Sequence, residues 1–362
     1  MTAPVLIMAG GTGGHVFPAL AVARELGERQ REVIWLGTRR GIEARLVPAA
    51  GIRIEWIEIE GLRGRGIGRW LTAPLRLARA VAQALAVLRR TRPGVVLGCG
   101  GFASGPGGLA AWLTRTPLVI HEQNAIAGMT NRWLARFASA TAEAFPGSLG
   151  GRRPALVTGN PVRREIESLA PPVERFAGRS GPLQLFVFGG SQGAAALNRL
   201  VPRALARLPA ADRPAVLHQT GARDHEATVA LYRELGLEAD VRAFVDDMAG
   251  TYAAADLAIG RAGALTVSEL AAAGLGALLV PFPAAVDDHQ TKNAEVLARA
   301  GAAVVQAESG LTEERLAQGL GELLQGGRAR LLAMAEAARA CAHPGAAARL
   351  AELCLAAEEG RR

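Results

Sequence analysis

The stretch VLIMAGGTGGHVFPALAVARELG, residues 5–27, decides the fold, because LQLFVFGGSQGAAALNRLVPRAL, residues 183–205, reads the same way half a chain later. Each copy opens on an unbroken apolar run, the mark of a strand buried on both faces of a parallel sheet. Each then turns through a cluster of glycines and enters a segment with helical spacing of apolar residues. Strand, glycine turn and helix form the opening unit of a doubly wound domain. Two copies in one chain predict two such domains.

The remaining sequence fits that frame. Beyond the openers at Val5–Ala9 and Leu183–Phe188, strand-like runs occur at Val33–Leu36, Val95–Leu97, Leu118–Ile120, Ala215–Gln219, Leu257–Ile259 and Ala277–Val280. Amphipathic stretches such as Ala19–Arg29, Leu75–Arg89 and Ala194–Leu208 lie between them. This alternation builds a parallel sheet with helices on both faces. The Pro/Gly/Arg-rich segment Gly147–Pro154 and the run Gly159-Asn160-Pro161-Val162-Arg163 read as the exit from the first domain, and Pro171–Pro182 leads into the second. Two similar halves facing each other leave a cleft into which the carboxyl ends of the strands open, the expected place for a small ligand.

Length and composition narrow the class. The 362 residues are enough for two full cores, half of them are apolar and only 20% are charged, so the chain is globular and not disordered. Cys99, Cys341 and Cys354 lack CxxC spacing, which argues for a reducing compartment and against a disulfide frame or a zinc site. No basic segment precedes the first apolar run, and the richest apolar stretch, 262–285, is broken by Ser268, Glu269, glycines and prolines. Neither a secretory signal nor a membrane span is therefore expected. The net charge of +8, carried mostly by arginine, favours anionic partners: nucleotides, phospholipid head groups or nucleic acid. Scarce aromatics and scattered arginines weaken the nucleic-acid case.

Several motifs carry chemistry, each with a plainer alternative. In Gly10-Gly11-Thr12-Gly13-Gly14-His15, glycines bring backbone N–H groups and a helix N-terminus up to an anion. Val16 stands where a dinucleotide fingerprint needs its third glycine, and no clear acidic residue follows the second strand, so NAD is disfavoured. A ligand-free tight turn is the alternative. His15, at the helix start, stands where a general base is needed, although a lone histidine is more often structural. The second loop, Gly189-Gly190-Ser191-Gln192-Gly193, matches the nucleophile elbow of hydrolases, with Asp256 and His289 following in the required order. Its duplication of the first loop favours Ser191 as a phosphate ligand instead.

Thr266 and Glu269 allow either a capping box at a helix start or a carboxylate that bridges the two hydroxyls of a ribose. The acidic pairs Asp246-Asp247 and Asp287-Asp288 lack D-x-D spacing and read as turn and cap residues. The glycine-rich Gly98–Gly108 reads as a lid or a place of close approach to substrate. His121-Glu122-Gln123-Asn124 follows a buried strand, where four polar side chains are costly unless exposed at the cleft. Finally, 63–92 holds eight arginines among Leu62, Trp70, Leu71, Leu75, Leu77 and other apolar residues. It is either a lipid-facing basic amphipathic stretch or an ordinary surface helix.

Taken in order, GGTGGHVFPALAVA, LGCGGFASGPGG, HEQNAIAG, GNPVR, GGSQGA, FVDDM and GALTVSELAAAG, spread over residues 10–300, resemble the MurG family of peptidoglycan glycosyltransferases. Cys99, Phe102 and the segment Pro283-Ala284-Ala285-Val286 depart from the family pattern. The resemblance implies the GT-B fold, two Rossmann-like doubly wound α/β domains facing across a cleft. It implies an acceptor and membrane-side domain over 1–161, completed by a C-terminal helix at about 342–362, and a donor domain over 162–341. The implied reaction is metal-independent, cofactor-free, inverting transfer of N-acetylglucosamine from UDP-GlcNAc to the 4-hydroxyl of undecaprenyl-pyrophosphoryl-MurNAc-pentapeptide. Carried over by motif, donor contacts fall on Thr12, Gly13, Gly14, Asn124, Arg163, Ser191, Val245, Ala264, Leu265, Thr266, Val267, Ser268, Glu269 and Gln290. His15 is expected as general base, with Glu122 as the alternative. The implied setting is peripheral, on anionic lipid at the cytoplasmic face of the bacterial plasma membrane, with other cell-wall synthesis proteins as further partners and no role for nucleic acid.

Overall fold

A computed structural model describes residues 2–59, 67–150, 154–190, 193–283, 285 and 288–360. The chain divides into two compact units, one of residues 1–162 with 345–362 and the other of 163–344. In the first unit seven strands form one sheet: β1 (Val5–Met8), β2 (Val33–Gly37), β3 (Arg53–Trp56), β4 (Val95–Gly98), β5 (Leu118–Glu122), β6 (Ala140–Glu143) and β7 (Leu156–Val157). Their order is β3-β2-β1-β4-β5-β6-β7 and every pairing is parallel, with Val5 opposite both Val33 and Val95. In the second unit β8 (Gln184–Phe188), β9 (Ala215–Gln219), β10 (Asp240–Arg242), β11 (Leu257–Gly260), β12 (Ala277–Leu279) and β13 (Ala303–Val305) repeat the order as β10-β9-β8-β11-β12-β13, again all parallel. The repeated sequence thus marks the central strand of each sheet, where the strand order reverses.

Burial on both faces explains the apolar openers. Val5 and Ile7 join a cluster with Val16, Val22 and Leu26 of the helix Gly13–Glu28 and with Leu350 and Cys354 of the helix Ala346–Glu359. Leu6 and Met8, pointing the other way, pack with Ala84 and Leu88 of the helix Ile67–Thr91 and with Ala110 of the helix Ser104–Leu113. On the second sheet Leu185 and Val187 meet Leu197, Val201 and Leu205 of the helix Ala195–Arg207 and Leu316 and Leu320 of the helix Glu313–Gln325. Each fully buried leucine in these clusters contributes about 2 kcal/mol of transfer free energy.

The helix Ala346–Glu359 belongs to the first unit although the second lies between them in sequence. Arg29 pairs with Glu352 at 3.0 Å, Arg31 with Glu358 at 2.5 Å, and Arg349 donates to the Thr158 carbonyl at 2.7 Å. Among the described residues no helix is long and apolar enough to cross a membrane. The basic stretch continues into the helix Ile67–Thr91, whose residues 74–79 are exposed on every side, Leu75 at 75%. Arg63, Arg65 and the side chains of Arg69, Trp70 and Leu71 lie outside the described residues.

Candidate functional site

In the first unit, the glycine loop leaves β1 and enters the helix Gly13–Glu28 with Thr12 at its cap position. Thr12 makes no side-chain cap bond, and no acidic residue occupies the first turn. His15 N and Val16 N bond back to the Thr12 carbonyl at 3.2 Å, and the absence of a first-turn carboxylate leaves the positive end of the helix dipole uncompensated by side-chain charge. The loop is held from beneath by Glu43, a fully buried carboxylate that accepts from Gly11 N at 3.0 Å, Thr38 N at 3.1 Å and Thr38 Oγ1 at 2.8 Å. Sequence reasoning missed Glu43. It lies 32 residues from Gly11 in a helix whose pattern gives no sign that one carboxylate points inward.

His15 stands half-buried on the first turn. Its Nδ1 lies 3.3 Å from Gln123 Oε1, and Gln123 Nε2 donates to the Cys99 carbonyl at 2.7 Å. The bond to Cys99 fixes which end of the amide meets the imidazole. Oε1 is then an acceptor, so Nδ1 carries the proton and a neutral ring has its lone pair on Nε2. Gln123 was noticed only as one of four polar residues, and its role depends on a partner 108 residues away.

The expectation that His121, Glu122, Gln123 and Asn124 are exposed is corrected by the structure. His121, Glu122 and Gln123 are buried, and Asn124 is half-buried. Their burial is tolerated because the protein supplies partners. His121 Nε2 donates to the Gly159 carbonyl at 3.1 Å, and Asn160 Nδ2 donates to the Gln123 carbonyl at 3.0 Å. Burial drives the His121 pKa down to about 4, against the pull of the Gly159 carbonyl and with help from His15. Glu122 accepts from Asn124 N, Asn124 Nδ2, Gly128 N and Asn131 Nδ2 at 2.9, 3.2, 3.1 and 2.9 Å. Both of its oxygens are thus engaged in holding the loop after β5.

Nor is Gly98–Gly108 a lid. It comprises the end of β4, a short turn and the start of the helix Ser104–Leu113, and its glycines admit neighbouring atoms of the same unit. A Cβ on Gly101, whose φ is +85°, would strike the backbone of Gly10, and one on Gly100 would strike the His15 ring at 2.9 Å. The close approach is between the two glycine segments themselves.

In the second unit, Ser191 and Gln192 lie outside the described residues, but the loop around them is defined. Gly193 N donates to Gly190 O at 3.0 Å, and Gly193, at φ +73°, has no room for a Cβ beside Thr220 O. The helix Ala195–Arg207 begins without a side-chain cap or an acidic first turn, like its counterpart. Asn198 in this first turn donates to Thr220 O at 3.0 Å and accepts from His218 Nε2 at 3.1 Å, while Tyr232 meets His218 Nδ1 at 3.0 Å. Burial drives the His218 pKa down to about 3, so the ring is neutral.

The hydrolase arrangement is ruled out by where Asp256 sits. It immediately precedes β11, fully buried, and takes bonds from Gln184 N at the start of β8, from Arg179 at 2.5 Å and from Arg328 at 3.2 Å. That is the amino end of the sheet, whereas the glycine loop leaves the carboxyl end of β8. The strand between them spans roughly 15 Å, which separates Asp256 from the end of β8 where the elbow motif begins.

The capping-box reading of Thr266 and Glu269 also fails. Gly263 occupies the N-cap position of the helix Ala264–Ala273, and Thr266 already lies inside the helix. Ala264 and Val267 are buried, and Leu265, Thr266 and Ser268 are half-buried around this uncapped end. Glu269, 6% exposed, binds Arg163 Nε at 3.2 Å and Nη2 at 2.9 Å through Oε1. Burial raises its pKa, while the charge and hydrogen bonds of Arg163 and the hydroxyl of Tyr252 act the other way. Val245 is buried just beyond β10, and Gln290 accepts from Phe282 N at 2.9 Å through Oε1, which leaves its amide nitrogen as the donor end. Asp247 is a cap residue, accepting from Gly250 N at 2.8 Å, and Asp288 occupies the N-cap position of the helix His289–Arg299. Asp287 lies outside the described residues. Among the described residues no three His, Cys, Asp or Glu side chains cluster to hold a metal ion.

Comparison with known proteins places this geometry. Residues 5–143 match the N-terminal domain of glycosyltransferase family 28, and residues 184–350 match its C-terminal domain. The chain is 56% identical over 355 residues to the UDP-N-acetylglucosamine–N-acetylmuramyl-(pentapeptide) pyrophosphoryl-undecaprenol N-acetylglucosamine transferase of Marinobacter nauticus, covering 98% of each chain. It is 56% identical over 360 residues to the enzyme of the same name from Nitrosococcus oceani, covering 99% of this chain and all of the other. The crystal structure of Acinetobacter baumannii MurG superposes with a TM-score of 0.86 at 42% identity, over 98% of this chain and 99% of that one. A calicheamicin glycosyltransferase, at 17% identity and a TM-score of 0.69, shares the fold. By sequence over its whole length and by structure, the chain belongs to the MurG family of UDP-N-acetylglucosamine–N-acetylmuramyl-(pentapeptide) pyrophosphoryl-undecaprenol N-acetylglucosamine transferases.

Proposed function

We propose that the chain is an inverting glycosyltransferase that moves N-acetylglucosamine from UDP-GlcNAc to the 4-hydroxyl of undecaprenyl-pyrophosphoryl-MurNAc-pentapeptide, converting lipid I to lipid II in peptidoglycan synthesis. The observation that carries this reading is the end-to-end 56% identity to enzymes whose names state that transfer. Two glycine loops, each leading into an uncapped helix without acidic residues in its first turn, supply matching chemistry.

The donor is assigned to the second unit. Ser191, the amides at the start of the helix Ala195–Arg207 and that helix's dipole meet the diphosphate, each contributing about 1–2 kcal/mol as charge develops on UDP. Glu269 receives the ribose hydroxyls, the Val245 backbone reads the uracil, and residues Ala264 to Ser268 line the nucleotide. Arg163 and Gln290 reach the sugar or its phosphates. Thr12, Gly13, Gly14 and Asn124 complete the donor contacts from the first unit, which also takes the acceptor.

His15 is the general base. With Nδ1–H directed at Gln123, its Nε2 lone pair takes the proton of the attacking 4-hydroxyl as the bond to the anomeric carbon forms opposite the leaving UDP. The imidazolium that results strengthens its hydrogen bond to Gln123. Glu122, with four donors on its two oxygens, is better suited to positioning Asn124 than to accepting a proton. The reaction needs no metal or cofactor in this reading. Peripheral attachment at the cytoplasmic face of the membrane is supported by exposed Leu75 and Leu77 interleaved with Arg76 and Arg79, each arginine near anionic lipid contributing roughly 1 kcal/mol. Other cell-wall synthesis proteins are the macromolecular partners this reaction calls for.

The test is transfer of radiolabelled N-acetylglucosamine from UDP-GlcNAc to a lipid-pyrophosphoryl-MurNAc-pentapeptide acceptor in the presence of EDTA. A labelled lipid-linked disaccharide is expected. Failure to label the acceptor with or without added divalent metal overturns the reading.

A further inference from the structure

Tyr252 belongs to none of the motifs above. It lies in the helix Met248–Ala254 and is fully buried. Its ring stands edge-on to Phe186 and Phe188, with centroids 5.9 and 6.1 Å away, and those two rings stack on each other at 4.7 Å. Phe186 and Phe188 are two residues apart on β8, so they share one face of the sheet, and β8 is the strand that runs into the second glycine loop. The cluster therefore ties Tyr252 to a buried central strand of the second sheet. From that position its hydroxyl donates to Glu269 Oε2 at 3.2 Å, while Arg163 binds only Oε1.

We propose that Tyr252 is a positioning residue for nucleotide recognition, holding the Glu269 carboxylate in the one orientation that receives both hydroxyls of the ribose. The inference rests on the assignment of Glu269 to the ribose. A vicinal diol needs two carboxylate lone pairs in one plane, so rotation of the carboxylate about its last bond spoils the fit. Arg163, attached to a single oxygen from a half-exposed side chain, leaves that rotation open. A second donor on the other oxygen closes it. A phenol suits this task better than a second cation, because it fixes the carboxylate without cancelling the charge that the diol binds. Burial, and then the neighbouring carboxylate, raise the Tyr252 pKa well above its ordinary value, so the hydroxyl remains a donor throughout the working pH range. Phenylalanine would fill the same space in the ring cluster but leave Oε2 without this partner.

The experiment measures dissociation constants of the full chain for UDP and for 2′,3′-dideoxy-UDP by titration calorimetry. Wild type should prefer UDP by tenfold or more, the scale of hydrogen bonds to a charged acceptor. In Tyr252→Phe the UDP affinity should fall about tenfold, with that for the dideoxynucleotide unchanged within twofold. Tyr252→Met, which fills the space with a flexible chain, is a second variant without the hydroxyl. In a Glu269→Gln background, removing the Tyr252 hydroxyl should cost no further UDP affinity. An undiminished preference for UDP in the Tyr252 variants, or equal loss of both nucleotides, overturns the role of Tyr252 and reduces it to packing. Equal affinity of wild type for the two nucleotides, or an unaltered preference in Glu269→Gln, instead defeats the ribose assignment itself.

Discussion

Replacing Gln123 by methionine tests the proton-transfer geometry directly. Gln123 makes two side-chain hydrogen bonds, accepting from His15 Nδ1 at 3.3 Å and donating to the buried Cys99 carbonyl at 2.7 Å. The first is long and weak while the imidazole is neutral, worth about 0.5–1 kcal/mol, but becomes charge-assisted when His15 is protonated, worth about 1.5–3 kcal/mol. The difference exists only as the proton arrives, so it belongs to the transition state. Gln123→Met should therefore lower kcat by about 5- to 50-fold and leave the KM and Kd for UDP-GlcNAc unchanged. His15→Ala sets the outer bound, with a loss of about a hundredfold or more. The second bond is structural. Leaving the Cys99 carbonyl unpaired costs about 1–3 kcal/mol, a fall in Tm of about 3–10 °C. Gln123→Glu separates the two effects, since a carboxyl keeps an acceptor for His15 in either protonation state and should recover most of the lost kcat. Steady-state transfer of labelled sugar, with donor affinity by calorimetry and Tm by scanning calorimetry, reads all of these. Wild-type kcat in Gln123→Met, or a parallel rise in donor KM, would refute the role of Gln123 in orienting the base.

Three further outcomes follow from buried groups. Glu43→Ala orphans three donors, two of them backbone N–H groups, and should lower Tm by about 10 °C while broadening the amide resonances of Gly10 to Gly14; an unchanged melt would show that the loop holds itself. His218 and His121 stay neutral in the folded chain down to pH of about 3 and 4, whereas both titrate near 6.5 when unfolded. The unfolded chain binds protons first, so stability is complete above pH 6.5 and is lost on acidification at up to about 1.4 kcal/mol per pH unit for each histidine; equal denaturation midpoints at pH 7 and pH 5 would contradict this. A fluorophosphonate probe should leave Ser191 unlabelled at any pH, because Asp256 is committed to Arg179 and Arg328 at the far end of the sheet.

The sequence spoke clearly where burial is symmetrical and weakly where it is not. The central strands β1, β4 and β11, and β8 after the exposed Gln184 that begins it, carry no polar side chain because both faces are covered, and their positions were read to within a residue. The strands that went unread, β3, β6, β7, β10 and β13, are short or lie toward the sheet edges. Arg53–Trp56 and Asp240–Arg242 carry charge because an edge strand keeps one side in water. Within the site, residues adjacent in sequence were recognisable as loops and helix starts. Gln123, Glu43 and Tyr252 were not, because each acts through a partner brought to it only by the fold. The polar run after β5 misled for the same reason: whether a buried glutamate is costly depends on donors such as Asn131, which no local pattern announces.

The return of the helix Ala346–Glu359 to the first unit has a consequence for biosynthesis. Leu350, Ala351 and Cys354 fill part of the core that β1 and the helix Gly13–Glu28 begin, yet they leave the ribosome more than 300 residues after Val5. The segment 163–344 is uninterrupted and has all its core residues in hand before then. Of the two units, the later-encoded one is thus the first with a complete set of parts, and the nascent amino-terminal half lacks the residues that cover part of its core until the last helix arrives.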